Sequence, residues 1–351
     1  MLQGSTGGNG SGIIIIYREP KGSFFHQYQT KYRYNEINNR NGDHSIMKKY
    51  LAIDLGGTAI KYGVVDENMN FLAHGKVDSR TSSYEDFKED LGKIVAEHGE
   101  GVQGMCISMP GIIDRIKGFA YTGGSYKWVS KIALAPQLSE AFGMPVTICN
   151  DAKAAALAEL GFGNLKDIRN GVAIILGTGI GGAVVIDGKL LDGSHYSSGE
   201  FSFIRENKHA RGPEPDIFAF GNGVQGLKDA IKAASGLEDI DGLKAFKLIK
   251  EEHNEEVLQG VKDFCWYLAF HIYNMQAILD ANRFVIGGGI SNEPMFIELV
   301  KEAVEEKFNT AIIKGIPTPE VMVCKYQSDA NLIGAVFNFM QIIEGVEYIP
   351  D

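Results

Sequence analysis

The 351-residue chain lacks several features that would assign it to a common class of protein. Its four cysteines are far apart and form no C-x-x-C pair, which argues against a disulfide framework and against a cysteine-rich metal cluster. No apolar run approaches the ~18 residues that a membrane-spanning helix requires. Lys and Arg number 34 against 44 Asp and Glu, and the resulting net charge of −10 disfavours a nucleic-acid partner. These absences predict a cytoplasmic protein that binds neither membranes nor nucleic acids.

The composition is that of an ordinary globular protein, with 44% hydrophobic and 22% charged residues. The length predicts two domains. Residues 1–46 differ from the rest, because a Gly/Ser/Asn-rich start is followed by a stretch without helical or strand periodicity. We expect residues 1–46 to be a leader that is non-native or disordered, and a short regulatory arm is the alternative.

From residue 50 onward, short apolar runs of strand length alternate with glycine turns and with helical patterns. The predicted strands are 50–53, 60–65, 71–77, 105–109, 146–149, 172–176, 183–186, 284–286 and 321–324. The predicted helices are 84–98, 134–142, 152–160, 257–279, 293–308 and 331–343. Each half begins with a strand–glycine–strand hairpin and continues with alternating helices and strands, which predicts an α/β fold with an internal duplication.

The first glycine turn follows the first predicted strand and reads Asp54-Leu55-Gly56-Gly57-Thr58. Glycines in a tight turn let backbone N–H groups approach a phosphate closely, and the threonine adds a hydroxyl donor. The aspartate can hold Mg²⁺ through a water molecule, since this ion keeps most of its hydration shell. A plain hairpin turn with an exposed aspartate is the alternative.

Two further glycine clusters also follow apolar strands. Residues 177–182, GTGIGG, match G-x-G-x-x-G loosely, but a dinucleotide site needs a helix directly after the glycines and a strand follows here. This loop can still offer N–H groups and the Thr178 hydroxyl to a phosphate. The third cluster, residues 287–289, lies between a strand and a helix and allows close approach of a flat ligand such as adenine; a tight connection is the alternative. Together the clusters predict a nucleotide held between two lobes, and the absence of G-x-x-x-x-G-K-[ST] excludes a P-loop enzyme.

Two polar segments can face that nucleotide. Asn150 and Asp151 lie where a strand meets a helix, and capping the helix is the plainest role for them. A helix N-terminus also keeps an aspartate ionised, so Asp151 could accept the proton of a substrate hydroxyl during phosphoryl transfer. Glu200 follows a polar loop and could accept hydrogen bonds from two vicinal sugar hydroxyls; a solvated loop glutamate is the alternative.

In this order, the segments resemble the ROK family (repressors, open reading frames and kinases) of the actin–hexokinase–Hsp70 superfamily, over residues 48 to about 341. The resemblance implies a two-lobed actin-like ATPase fold of the ribonuclease H-like kind. The small lobe would comprise residues 47–163 and 329–351, and the large lobe residues 164–328.

The activity that the resemblance implies is transfer of the γ-phosphate of ATP to a hydroxyl of a hexose or glucoside, usually the 6-hydroxyl. Asp151 would be the general base, and Asp54 would position Mg²⁺. The sugar would be bound by Asn150, Asp151, Glu200 and Gly111. The nucleotide would be bound by Asp54, Gly56, Gly57, Thr58, Lys61, Thr178, Gly179, Gly288 and Gly289. The family is usually dimeric, which leads us to expect a homodimer.

One departure concerns metal. Many ROK proteins carry a histidine and a cysteine-rich run that bind structural zinc, but Phe203 stands at the histidine position and the next cysteine is Cys265. We therefore expect no structural zinc and two usual sugar contacts fewer, that of the histidine and that of the glutamate that ends the cysteine-rich run. Two alternatives to the kinase remain within the family. A repressor needs an N-terminal winged helix-turn-helix of about 60–80 residues, for which the 46-residue leader is too short. A non-catalytic sugar-binding protein would not need both Asp54 and Asp151.

Overall fold

A computed structural model describes residues 47–206, 209, 216–312 and 314–346. The predicted leader, residues 1–46, lies outside the described residues. The strands, in chain order, are β1 (Lys49–Leu55), β2 (Ala59–Asp66), β3 (Phe71–Asp78), β4 (Met105–Met109), β5 (Ile113–Asp114), β6 (Phe119–Thr122), β7 (Ser130–Ile132), β8 (Val146–Asn150), β9 (Gly171–Leu176), β10 (Ile180–Ile186), β11 (Lys189–Leu190), β12 (Arg283–Gly287) and β13 (Glu320–Val323).

The helices are α1 (Tyr84–His98), α2 (Leu134–Phe142), α3 (Asp151–Phe162), α4 (Phe218–Asn222), α5 (Val224–Ser235), α6 (Gly242–Glu252), α7 (Glu255–Leu279), α8 (Pro294–Asn309) and α9 (Ala330–Phe339). Short 3₁₀ turns cover Phe201–Phe203, Gly289–Asn292 and Gln327–Asp329, and a π-helical turn, Met340–Glu344, follows α9. Among the described residues, no helix combines the length and the apolar character that crossing a membrane requires.

The two large sheets have the same topology. One has the strand order β3-β2-β1-β4-β8 and the other β11-β10-β9-β12-β13. In each, the first three strands are antiparallel and the last two are added in parallel to the central strand. A small antiparallel sheet of β5, β6 and β7 is added to the first half. The predicted α/β fold with an internal duplication is confirmed by this repetition.

Helices α3 and α9 pack against each other and contact strands of the two large sheets, α3 those of both sheets and α9 those of the first. Helix α3 is alanine-rich and buried almost all round, so neighbouring backbones approach it closely. At the crossing with α9, a Cβ on Gly334 would overlap the carbonyl of Ala154. Their side chains share one core cluster with residues of both sheets, Ala52 and Ala173 among them. The start of α3 is thereby fixed between the two halves of the molecule.

The observed elements differ from the predicted ones in several places. Strands β5, β6, β7 and β11 and helices α4, α5 and α6 were not predicted. Strand β10 begins at Ile180, so the last residues of the predicted glycine turn are strand. Glycine is needed there because Cβ atoms on Gly181 and Gly182 would crowd Ala152 and Phe201. The last helix ends at Phe339 and continues as a π-helical turn, rather than running to residue 343.

Candidate active site

The site lies at the carboxyl ends of the parallel strands of the first sheet. In the ladder, Asp54 on β1 lies beside Ser108 on β4, and the next residue of β4 pairs with Asn150 on β8. Ligands of open α/β sheets bind at this edge, because each strand delivers its last side chain to the same crevice. The predicted residues Asp54, Asn150 and Asp151 are therefore brought together by strand pairing.

Asp54 is held by two side chains from distant parts of the chain. Its Oδ1 atom accepts hydrogen bonds from Ser108 Oγ at 3.0 Å and from Asn331 Nδ2 at 3.0 Å. Burial raises the pKa of Asp54, against the opposing effect of these two hydrogen bonds and of Lys61. Both bonds use Oδ1, and Oδ2 has no hydrogen-bond partner among the described residues. A partly buried carboxylate with one oxygen available fits a hydrated Mg²⁺ ion, which would also favour its charged form.

The first glycine turn connects β1 to β2 and is closed by the hydrogen bond from Gly56 N to Ala59 O, at 3.0 Å. The hydroxyl of Tyr126 donates to the carbonyl of Gly56, which anchors the turn to the β6–β7 connection. A Cβ at Gly57 would approach Ser125 Oγ to 2.7 Å, so only glycine allows this close approach. Thr58 at the tip is exposed and free to meet a ligand. Lys61 is also exposed and faces Asp54 across the ladder.

Asn150 is the N-cap of α3, and its side chain connects three segments. Its Oδ1 accepts from Lys153 N at 3.1 Å, and its Nδ2 donates to the carbonyl of Gly111 at 3.0 Å. Gly111 has φ of 117°, a conformation that only glycine adopts readily, and a Cβ there would overlap the carbonyl of Thr122. The capping role considered for the pair Asn150-Asp151 thus belongs to Asn150, which leaves the Asp151 carboxylate available for chemistry.

Asp151 is the first residue of α3, and its Oδ1 accepts a hydrogen bond from Ala152 N at 2.8 Å. Burial, together with the negative charge of Asp54, raises its pKa to about 6, against the opposing effect of backbone N–H donors at the helix start. A carboxyl with this pKa is ionised at neutral pH and can still take up a proton, which is the property that a general base requires.

Glu200, directly before the 3₁₀ turn at Phe201, is near enough to Asp151 for their charges to interact. Burial raises the pKa of Glu200, and the charge of Asp151 raises it further, while Lys153 opposes both. Lys153 itself is 1% exposed, and its Nζ donates to the carbonyls of Tyr196 at 2.8 Å and Asp192 at 3.3 Å. Asp54, Asp151 and Glu200 therefore form one acidic group that a cation or a hydroxyl-bearing ligand would stabilise.

The second half supplies the other two glycine turns. The β9–β10 turn is closed by the hydrogen bond from Gly177 N to Gly179 O, and Thr178 at its tip is exposed. Strand β10 continues past the start of α3, where Gly181 meets Ala152. The turn after β12 packs on the end of β9, where a Cβ on Gly288 would overlap the carbonyl of Leu176, while the adjacent Gly289 is exposed. Both turns thus lie beside the end of β9. The β9–β10 turn also lies near Asp151, because β10 passes the start of α3.

Three residues of this site were not predicted from the sequence. Ser108 had a usable signal, since it is a polar residue within the otherwise apolar strand MCISM. Lys153 also had one, because a lysine in an alanine-rich, buried helix needs partners for its charge. Asn331 had none, since it lies 277 residues from the aspartate that it contacts.

Comparison with known proteins agrees with this architecture. The family model described as "ROK family" matches residues 50–341. A β-glucoside kinase of Listeria monocytogenes is 30% identical over 84% of this chain and 98% of its own length. An N-acetyl-D-glucosamine kinase of Photobacterium profundum is 28% identical over 82% of this chain and 98% of its own length. Among solved structures, a ROK family protein of Streptococcus pneumoniae in complex with sucrose superposes with a TM-score of 0.75 and 26% identity, covering 85% of this chain and 99% of that one.

These relatives confirm the predicted two-lobed fold and the predicted activity class, that of a sugar kinase. The family match begins at the first apolar strand and ends within the π-helical turn after α9, so it spans all three glycine turns and the residues between them. On its sequence, its fold and the arrangement of its site, the chain belongs to the ROK family.

Proposed function

We propose that this protein transfers the γ-phosphate of ATP to the 6-hydroxyl of a hexose or hexoside, with Asp151 as the general base. The observation that carries the proposal is the position of Asp151 at the start of α3, with a pKa of about 6 and with charge interactions to Asp54 and Glu200. Phosphoryl transfer requires positioning of the two substrates, charge stabilisation and a base for the hydroxyl proton. The site provides a residue for each of these tasks.

Asp54 would hold Mg²⁺ through water, using the carboxylate oxygen that Ser108 and Asn331 leave available. When bound, the ion would neutralise negative charge on the phosphates of ATP. Backbone N–H groups of the first two glycine turns, with the hydroxyls of Thr58 and Thr178, would bind phosphate oxygens, and Gly288 and Gly289 would lie against the adenosine. Lys61 would add positive charge beside the phosphates.

On the sugar side, Asn150 Oδ1 retains one lone pair after its bond from Lys153 N, and this lone pair can accept a hydrogen bond from a sugar hydroxyl. Glu200 would accept hydrogen bonds from vicinal hydroxyls, and Asp151 would take the proton of the attacking hydroxyl. The predicted lobes, residues 47–163 with 329–351 and residues 164–328, would close over both substrates and exclude water that would hydrolyse ATP.

We also propose a cytoplasmic homodimer that uses Mg²⁺ and contains no structural zinc. The zinc proposal rests on Phe203, which stands at the position of the usual histidine ligand and is 70% exposed. Elemental analysis of the purified protein tests it directly. About one zinc per chain, removed by a chelator together with the activity, would show that other ligands replace the missing histidine.

The decisive experiment is an assay of ADP release with Mg·ATP across glucose, mannose, fructose, N-acetylglucosamine, cellobiose and phenyl β-glucoside. We expect sugar-dependent ADP release with at least one of them and its loss in Asp151→Asn. Sugar binding without any sugar-dependent ADP release would instead support a non-catalytic sugar-binding regulator, the other function considered for this family.

A further inference from the structure

Two aromatic side chains outside the site described above stack on one another beside it. Tyr121 on β6 and Tyr196 in the loop after β11 have ring centroids 5.5 Å apart and an interplanar angle of 22°. Tyr121 is 36% exposed, so part of this pair faces solvent. The two rings come from sequence segments 75 residues apart that belong to different predicted lobes. They therefore form a surface that exists only in the folded protein.

Hydrogen bonds place this pair on the sugar side of the site. Tyr121 N donates to Ile112 O at 2.9 Å, and Ile112 N donates to Thr122 Oγ1 at 3.0 Å. Ile112 directly follows Gly111, the glycine that Asn150 contacts. The residue that Tyr121 contacts, Ile112, is therefore next in sequence to Gly111, which positions Asn150.

Tyr196 approaches the same place from the other half. It lies four residues before Glu200, and the turn between them is closed by the hydrogen bond from Glu200 N to Ser197 O at 3.3 Å. The carbonyl of Tyr196 accepts from the buried Lys153 Nζ at 2.8 Å. Lys153 is two residues after Asp151 in α3. The aromatic pair thus adjoins the segments that support Asn150 and Glu200, the two residues proposed to bind the sugar ring.

The loop that carries Tyr196 is held in a strained conformation. Tyr196 has φ of 61°, in the left-handed region that non-glycine residues rarely adopt. Besides Lys153, the loop is fixed by Arg115, whose Nε donates to Asp192 Oδ1 at 3.0 Å, and Lys153 also donates to Asp192 O. Backbone strain of this kind persists where the surroundings over-determine it, and it is concentrated at sites that clamp a ligand.

Aromatic faces of this kind bind flat or apolar surfaces, such as an aryl ring or the C–H face of a second sugar ring. With the 6-hydroxyl at Asp151, the C1 end of the sugar is the end that points away from the phosphates. We propose that Tyr121 and Tyr196 form a second subsite, which binds a ring attached at C1 of the substrate and so makes the protein a kinase of aryl or glycosyl hexosides. This inference rests on the proposed function, in which Asn150 and Glu200 hold the phosphorylated ring.

Titration calorimetry without ATP tests the subsite independently of catalysis. The ligands are glucose, methyl β-glucoside and phenyl β-glucoside, since only the last carries a ring at C1. The proteins are the parent, Tyr121→Ala, Tyr196→Ala and the ring-retaining Tyr121→Phe. Tyr267→Ala is the matched control, because Tyr267 on α7 is also an exposed tyrosine, outside the site.

We expect the parent to bind phenyl β-glucoside about tenfold more tightly than methyl β-glucoside, in line with the usual strength of an aromatic contact. Tyr121→Ala and Tyr196→Ala should bring that ratio close to one, whereas Tyr121→Phe and Tyr267→Ala should keep it. Equal affinities in the parent, an unchanged ratio in both alanine variants, or no binding of any of the three sugars would overturn the subsite.

ADP release by the parent, measured in parallel with Mg·ATP and each sugar, separates this inference from the proposed function. The expected binding pattern without ADP release would refute the kinase and leave the subsite standing. ADP release without the binding pattern would refute the subsite and leave the kinase standing.

Discussion

The two large sheets share one topology but differ in the residues that they place at equivalent positions. The pair Asp54–Ser108 of the first sheet corresponds to the pair Ile175–Gly287 of the second, because each is the last pair between the first two parallel strands. The two hairpins end alike, at the pairs Leu55–Ile60 and Leu176–Ile180. The first half therefore presents a carboxylate and a hydroxyl where the second presents an apolar side chain and a glycine.

The equivalence extends to the next strand of each sheet. Cys149 and Cys324 occupy corresponding positions beside Ser108 and Gly287, but Cys149 is followed by Asn150 and Asp151. In the proposed function, the first half supplies the general base, Asp151, and the carboxylate for Mg²⁺, Asp54. Both halves would contribute a glycine turn to the phosphates, and the second half would add Glu200. Substitutions at equivalent positions of the two halves test this assignment.

The largest effect is expected at Asp151. Asp151→Asn keeps the size of the side chain but cannot accept the hydroxyl proton, and loss of a positioned base costs about 10²–10⁴-fold in rate. We expect turnover to fall by at least ~10²-fold, with nucleotide affinity near that of the parent. Tyr326→Phe, at the corresponding position of the second half, is the control and should keep turnover within about threefold. Turnover of Asp151→Asn within about threefold of the parent would mean that Asp151 is not the base.

The same substitution should raise the stability of the ligand-free protein. The pKa of Asp151 rises from 3.8 in the unfolded chain to about 6 in the folded one, so the folded state holds its charge at a cost. That cost is complete above pH 6 and absent below pH 4, and it corresponds to at most about 3 kcal/mol. In denaturant unfolding at pH 7.5, Asp151→Asn should therefore have a higher free energy of unfolding than the parent. At pH 5 the difference between the two proteins should be about half as large. A variant less stable than the parent at pH 7.5 would contradict the raised pKa.

A substitution at Asp54 should change the Mg²⁺ dependence of the activity, whereas a substitution at its counterpart Ile175 should not. Groups that bind a metal ion through water typically contribute 10–100-fold to metal affinity or activity. We expect Asp54→Asn to lower kcat/KM by about 10–100-fold and to shift the Mg²⁺ dependence to higher concentrations. Ile175→Val removes one methylene group of the second sheet and should leave that Mg²⁺ dependence unchanged. An unshifted Mg²⁺ dependence in Asp54→Asn would remove the proposed role of this carboxylate.

The smallest effect concerns the glycine turn of the second half. Gly288 has φ of 97° and ψ of 167°, a region that is essentially restricted to glycine, and a Cβ there would overlap the carbonyl of Leu176. Gly288→Ala should lower the free energy of unfolding by about 1–3 kcal/mol. Gly289 has open space around it, so Gly289→Ala should change stability by less than about 0.5 kcal/mol. Equal thermal stabilities of the two variants would show that the turn adapts.

Local patterns in the sequence predicted most of the fold. Helices α1 and α2 and strand β4 begin and end where their apolar periodicity predicts, because each signal lies within the element itself. The start of β10, the end of α9, strands β5–β7 and helices α4–α6 were not predicted. At β10 tertiary contacts override the local signal, because Phe201 and Ala152 need glycines inside a strand. After Phe339 the chain adopts a π-helical turn, which no local pattern indicated.

Turns and apolar periodicity depend on neighbouring residues, and so the sequence sufficed to predict the glycine turns, most strands and helices, and the family. Which side chains act together depends on the fold of the whole chain. Asp54 finds its partner Asn331 277 residues away, and Tyr121 meets Tyr196 from another sheet. The pKa of Asp151 depends on burial and on the charge of Asp54, neither of which any local pattern contains. Strand pairing and core packing bring such residues together, and so they set the chemistry of the site.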